Sequence, residues 1–175
     1  MSNSVAVVTG ASQCIGRATA IRLARDFSAL FLVARDRAHL DETAAAVKAA
    51  GAEALVVDAD LSQPSMARTV VDRTLAAFGR IDALLNIAGA VPQIDLFEMT
   101  DEQWEGGLSL KLHGARRLTI AAWPALKATK GSVVLMSATR RSSRRRLMRQ
   151  WERSMPPSSH WRRRFPIAAS PMACR

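Results

Sequence analysis

The order of the apolar segments predicts an α/β domain, a doubly wound parallel sheet with helices on both faces. Three observations carry that expectation. Short, β-branched runs alternate with longer segments of helical apolar spacing through the first 137 residues. The short runs are apolar throughout, as strands covered on both faces are. Glycines and short polar residues cluster just after these runs, at the carboxyl ends of the strands, where open α/β sheets bind ligands.

Each element follows from its own stretch of sequence. SVAVVTG, 4–10, is a short apolar run that stops at glycine, hence a buried strand. IGRATAIRLARDF, 15–27, carries apolar residues at Ile15, Ala18, Ile21, Leu23, Ala24 and Phe27, one helical face. ALFLVA, 29–34, is a second strand. The alanine-rich segment 36–51 has helical spacing and stops at Gly51. EALVVDADLS, 53–62, supplies a third strand, and 65–79 an amphipathic helix closing on Gly79. IDALLNIAGA, 81–90, is the fourth strand. Segment 100–129 reads as one long helix, with Thr100 as N-cap, Gln103 three residues on, and Gly106–Gly107 as a weak spot inside it. GSVVLMS, 131–137, is the fifth strand.

Composition narrows the class. No run of 18 apolar residues exists, and MSNSVAVVTG has neither a basic leader nor a cleavage pattern, so no membrane span or signal peptide is expected. Two cysteines, Cys14 and Cys174, lack metal-ligand spacing and point to a reducing, cytoplasmic setting with no bound metal. The net charge of +10 resembles that of a nucleic-acid binder. Its distribution argues otherwise. Residues 1–139 hold 14 basic and 14 acidic side chains, whereas residues 140–175 hold 11 arginines and one acid, Glu152. The chain therefore divides into a ligand-binding α/β domain, 1–139, and an Arg-rich tail, 140–175.

The first strand–helix turn, TGASQCIG at 9–16, is suited to a phosphate. Helix N-termini present unpaired N–H groups and a positive dipole end. Gly10 and Gly16 supply turn freedom and close backbone approach, and Thr9 and Ser12 offer hydroxyls. This turn, Asp60–Leu61 after the third strand and Asn86-Ile87-Ala88-Gly89 after the fourth together resemble the short-chain dehydrogenase/reductase family. The family's motifs are TGxxxGxG, D-[VL] and NNAG, and the resemblance covers residues 4–137. It implies a Rossmann-type fold, here incomplete, with five strands expected in the order 3-2-1-4-5. It also implies hydride transfer between a nicotinamide dinucleotide and an alcohol or carbonyl, and a homo-oligomer in the parent family. By the same resemblance Gly10, Ser12, Ile15 and Gly16 line the pyrophosphate. Asp60 and Leu61 hold the adenine, and Asn86, Ala88 and Gly89 lie on the ribose side. NAD users of the family tend to carry an acid where Ala34 stands. Here that slot is neutral, and Arg35 follows at the position of the family's phosphate-pairing arginine. The expected cofactor is NADP(H), with NAD(H) possible. The competing role for Arg35 is a surface ion pair with Asp36 or Asp41.

Several positions depart from the family pattern. Cys14 replaces the second glycine of the turn, where its side chain crowds the pyrophosphate approach, and Ile87 replaces the second Asn of NNAG. Lys111 stands where the family often has an Asn that positions a water and the catalytic lysine. After the fifth strand the pair is Ser137–Ala138, so the family's serine slot falls on Ala138. The Tyr-x-x-x-Lys pair is missing: the chain has no tyrosine, and its last lysine is Lys130. Lys111 and His113 are two apart and share no helix face, so they do not make a substitute acid–base pair. Candidates for catalysis reduce to Lys111 and Ser137, and the chain as it stands is expected to be inactive. The remaining alternatives are a dinucleotide-binding protein without turnover and a basic-tailed nucleic-acid binder.

Residues 140–175 support two readings. One is a basic arm contacting phosphates, with Trp151 and Trp161 stacking on bases. The favoured one is a shifted reading frame beginning between Ser137 and about Leu147, since GC-rich codons for alanine and glycine give arginine when read one base off. Shifting 148–157 by one base returns small and aliphatic residues similar to the family's next helix. Its tyrosine slot then becomes Met or Val, and its lysine slot an Asn-type codon. On this reading the fifth strand is left as an open edge and an apolar helix face loses its cover.

Overall fold

The structure, a computed structural model, describes residues 3–89, 94–95 and 97–137. The elements run β1 (Val5–Thr9), α1 (Cys14–Leu23), β2 (Ala29–Ala34), α2 (Arg37–Ala49), β3 (Glu53–Asp58), α3 (Met66–Phe78), β4 (Ala83–Asn86), α4 (Asp101–Leu108), a π-helical turn (Ser109–Gly114), α5 (Ala115–Thr129) and β5 (Ser132–Leu135). They belong to one compact unit ending at Met136. The Arg-rich tail and Ala138 lie outside the described residues, and both readings of the tail with them.

The five strands form one parallel sheet in the order β3-β2-β1-β4-β5, as expected. Alternate residues of each strand serve opposite faces, which is why the strands are apolar without interruption. Ala6, Val8, Leu30 and Leu32 pack with Ala20, Leu40, Ala44 and Val47 of α1 and α2. Val7, Phe31, Val33 and Val57 pack on the other face with Val70, Val71, Leu118, Ala122 and Leu126 of α3 and α5. Phe31 meets Phe78 edge to face at 6.4 Å.

The ends of α2 and α3 and the start of α4 fall where the sequence places them, whereas α1 stops at Leu23, short of the expected Phe27. Gly51 and Gly79 both take left-handed backbone, φ +100° and +72°. Thr100 Oγ1 accepts from the Gln103 amide, and Gln103 Oε1 accepts from the Thr100 amide, a complete capping box.

Two elements differ from expectation. The buried face of α1 runs through Gly16 and Ala20 to Ala24, while Ile15 is 52% exposed. Gly16 sets this rotation, because a Cβ there would collide with the carbonyl oxygen of Gly10. The long helix of 100–129 does not weaken at Gly106–Gly107, which stay α-helical; instead it widens into the π-helical turn two residues later, at Ser109. Gly114 closes that turn, and a Cβ on it would stand 2.6 Å from the Leu61 carbonyl oxygen. The helix thus lies against the segment after β3. The wider turn resets the phase, so that Leu118, Ala122 and Leu126 face the sheet.

Among the described residues β5 pairs with β4 alone, and Val134 and Leu135 are 46% and 66% exposed.

Asp82 ties together the amino-terminal ends of three strands. Its Oδ2 accepts from the Val5 amide at 2.8 Å and its backbone carbonyl from Ser132 at 2.9 Å, while Arg80 pairs with the carboxylate. Burial raises the Asp82 pKa, but the Arg80 and Val5 hydrogen bonds outweigh it and hold the carboxyl below its ordinary value. A lowered folded-state pKa stabilises the fold above the unfolded value of about 4, and that stability is lost as pH falls through the folded value. Asp82→Ala is expected to destabilise by about 2 kcal/mol at pH 7 in urea unfolding, with a difference from the parent that shrinks in acid.

Candidate functional site

The carboxyl ends of β1 and β4 meet in close backbone contact. Gly10 adopts φ +69°, and a Cβ on it would stand 2.9 Å from Ala88 Cα. Its amide donates to the Val33 carbonyl at 2.7 Å, anchoring the turn to β2 as well. Gly16 brings α1 down onto Gly10. At the start of α1 the Gln13 side chain makes no cap hydrogen bond and no acidic residue occupies the first turn, so the positive dipole end of the helix meets the turn. Ser12 is half-buried in the turn and Ile15 exposed at its rim.

The Thr9 hydroxyl is turned inward. The residue is buried, and Oγ1 donates to the Leu85 carbonyl at 3.2 Å while accepting from the Ile87 and Ala88 amides, both at 3.0 Å. All of its hydrogen bonds join β1 to the end of β4. Asn86 is likewise inward: Nδ2 donates to Thr119 Oγ1 at 3.3 Å, and its carbonyl accepts from the Met136 amide at 3.1 Å. Thr119 was not among the residues singled out from sequence, where it resembles any threonine on a helix. Cys14, exposed at the first position of α1, has φ +46°. Left-handed backbone favours glycine, which accounts for the family's glycine at this point and leaves Cys14 in a costly conformation.

On the far side of β1, Arg35 follows β2. The surface acids offered as its partners are engaged elsewhere. Asp36 caps α2 through the His39 amide at 3.1 Å and meets His39 Nδ1 at 2.6 Å. Those hydrogen bonds lower the Asp36 pKa and raise that of His39. Asp41 pairs with Arg37 at 3.0 Å. Among the described residues Arg35 makes no ion pair, and its charge faces Asp60. Asp60 Oδ1 accepts from the Ser62 amide at 3.0 Å; that bond first, and Arg35 more weakly, hold its carboxyl below the ordinary range. The Leu61 side chain is buried in the core, with its carbonyl against Gly114.

On the β4 side the π-helical turn delivers Lys111. Its stem runs over Gly89: a Cβ on Gly89 would stand 2.8 Å from Lys111 Cδ and 3.3 Å from Nζ. Lys111 thus shares the site with Gly89, Ala88 and Gly10. His113, two residues on, makes no hydrogen bond to it among the described residues. Ser137 is exposed after β5.

The family model described as short chain dehydrogenase matches residues 4–146. A protein named as a ketoacyl reductase of the granaticin polyketide synthase, from Streptomyces violaceoruber, is 40% identical over 139 residues, covering 77% of this chain and 54% of that protein. The chain spans about half the length of the curated relatives it matches. An alcohol dehydrogenase from the archaeon Thermococcus sibiricus, complexed with 5-hydroxy-NADP, superposes with a TM-score of 0.71 at 33% identity, covering 74% of this chain and 56% of that one. A metagenomic short-chain oxidoreductase in complex with NADP gives a TM-score of 0.71 at 36% identity, over 76% and 61% of the two chains. NAD+-bound xylitol dehydrogenase gives 0.70 at 28%, over 75% and 51%.

Replacing Thr9 by valine keeps its shape and removes all three hydrogen bonds. Thr9→Val is expected to destabilise by about 2 kcal/mol in urea unfolding, because the Ala88 amide loses its partner while the Ile87 amide keeps the Leu85 carbonyl, and Thr9→Ser stays close to the parent.

Proposed function

This chain belongs to the short-chain dehydrogenase family, and on that premise we propose that residues 1–139 form its dinucleotide-binding domain, with a preference for NADP(H). The observation that carries this reading is the glycine cradle of Gly10 and Gly16 beneath the uncapped start of α1. It leaves the positive end of α1 where a pyrophosphate needs it, with the Cys14 side chain at its margin. Gly10, Ser12, Ile15 and Gly16 would hold the pyrophosphate, with Thr9 bracing the turn from behind. Asp60 and the Leu61 backbone would border the adenine, and Ala88 and Gly89 the ribose side, with Asn86 fixing that segment from below. Arg35, with the nearby acids engaged elsewhere, would pair a ribose 2′-phosphate.

The bound dinucleotide supplies hydride chemistry toward an alcohol or carbonyl. The residues that would move the accompanying proton in the family are not in this chain, which has no tyrosine and no lysine beyond Lys130. We place the protein in the cytoplasm, as a binder of the dinucleotide without turnover. Bound NADPH is accordingly expected to stay unoxidised when aldehydes or ketones are added, read by its absorbance over hours.

Cofactor choice has a direct test. Arg35→Ala should weaken NADPH binding about tenfold or more and leave NADH within twofold, by calorimetric titration of the full chain. An unchanged NADPH/NADH affinity ratio would remove Arg35 from the specificity role.

A further inference from the structure

We infer that Lys111 makes this site discriminate between the redox states of the dinucleotide, favouring the reduced form over the oxidised one. The inference rests on the dinucleotide reading above and concerns a residue for which that reading has no use. Sheet order supplies the direction. Arg35 and Asp60 follow β2 and β3, on one side of β1, whereas Gly89 and Lys111 lie at β4, on the other. A dinucleotide with its phosphates on the β1–α1 turn and its adenosine toward Arg35 has only the β4 side left for its nicotinamide half. Lys111 is already there. Its stem lies on Gly89, whose missing side chain is what admits it, and the π-helical turn fixes its place along the helix.

The two redox states differ by one unit of charge, carried on the ring. The oxidised nicotinamide is a cation and the reduced ring is neutral. An ammonium group on this side repels the first and not the second. The phosphates carry the same charge in both states, so attraction to them favours neither form and the discrimination comes from the ring alone. No acidic side chain forms an ion pair with Lys111 among the described residues, so nothing there neutralises its charge. The site is partly open to solvent, which limits the effect to about three- to tenfold at low salt, and less at high salt.

Lys111→Gln removes the charge and shortens the side chain by one atom; Lys111→Arg keeps the charge. The dissociation constants of NADPH, NADP+, NADH and NAD+ are measured on the full chain by calorimetry at low and high salt. The expected result is an oxidised-to-reduced ratio of dissociation constants that falls three- to tenfold in Lys111→Gln, stays at the parental value in Lys111→Arg, and converges for all three proteins in salt. A ratio unchanged by Lys111→Gln, with binding intact, overturns the role of Lys111 and leaves the dinucleotide reading standing. Binding of none of the four by the parent chain overturns both.

Discussion

Thr9 Oγ1 donates to the Leu85 carbonyl and accepts from the Ile87 and Ala88 amides, and this junction decides how the end of β4 meets the end of β1. It holds the segment after β4 against Gly10 so closely that Gly10 has no room for a side chain. Gly16 and α1 then settle onto Gly10 from the opposite side. The site is therefore a backbone construction: a hydroxyl fixes one wall, two absent Cβ atoms let the walls approach, and a helix start is aimed across the gap. The side chains that carry charge stand at its margins.

Those margins are unequal in how their charges are used. The acids around the end of β2 are engaged locally, Asp36 by His39 and Asp41 by Arg37, and Asp60 is bound to the Ser62 amide. Arg35 makes no ion pair among the described residues and acts on Asp60 by a weaker attraction. On the β4 side the cation is delivered by a helix that has departed from α geometry to reach the sheet. A π-helical turn places a residue at an angle a regular helix would deny it. Gly114 shows why the departure is needed here, since the helix passes against the Leu61 carbonyl.

Most of this was legible in the sequence. Apolar runs and terminal glycines located all five strands and the ends of α2 and α3, because burial on two faces and left-handed caps leave marks on composition. The cradle was legible for the same reason: Gly10 and Gly16 meet a steric demand that only glycine satisfies. What escaped depends on distance through space. Thr9 reads as a hydroxyl free to serve a ligand until β4 is laid beside β1. Thr119 carries no mark that it meets Asn86. The π-helical turn was hidden because Gly106–Gly107 offers a more obvious place for a helix to fail, whereas the real perturbation comes from a contact with the chain after β3. Ile15 shows the same limit: helical spacing gave it an inward face, and the Gly10–Gly16 contact turned it outward.

The strand order also bears on how the chain comes together during synthesis. β1, β2 and β3 are neighbours in sequence and in space, so the first 58 residues form a sheet by adding strands to one edge. β4 instead returns across the whole sheet, through residues 59–82, to pair with the other side of β1. Parallel pairing over such a span is slow, because the intervening chain must be ordered before any contact rewards it. The gap between Gly10 and Ala88 therefore closes late, after the adenosine side has been laid down. A nascent chain halted between β3 and β4 would display a finished β1–α1 turn with only one wall. Ligand present at that stage would meet half a site, and the arrival of β4 would complete it.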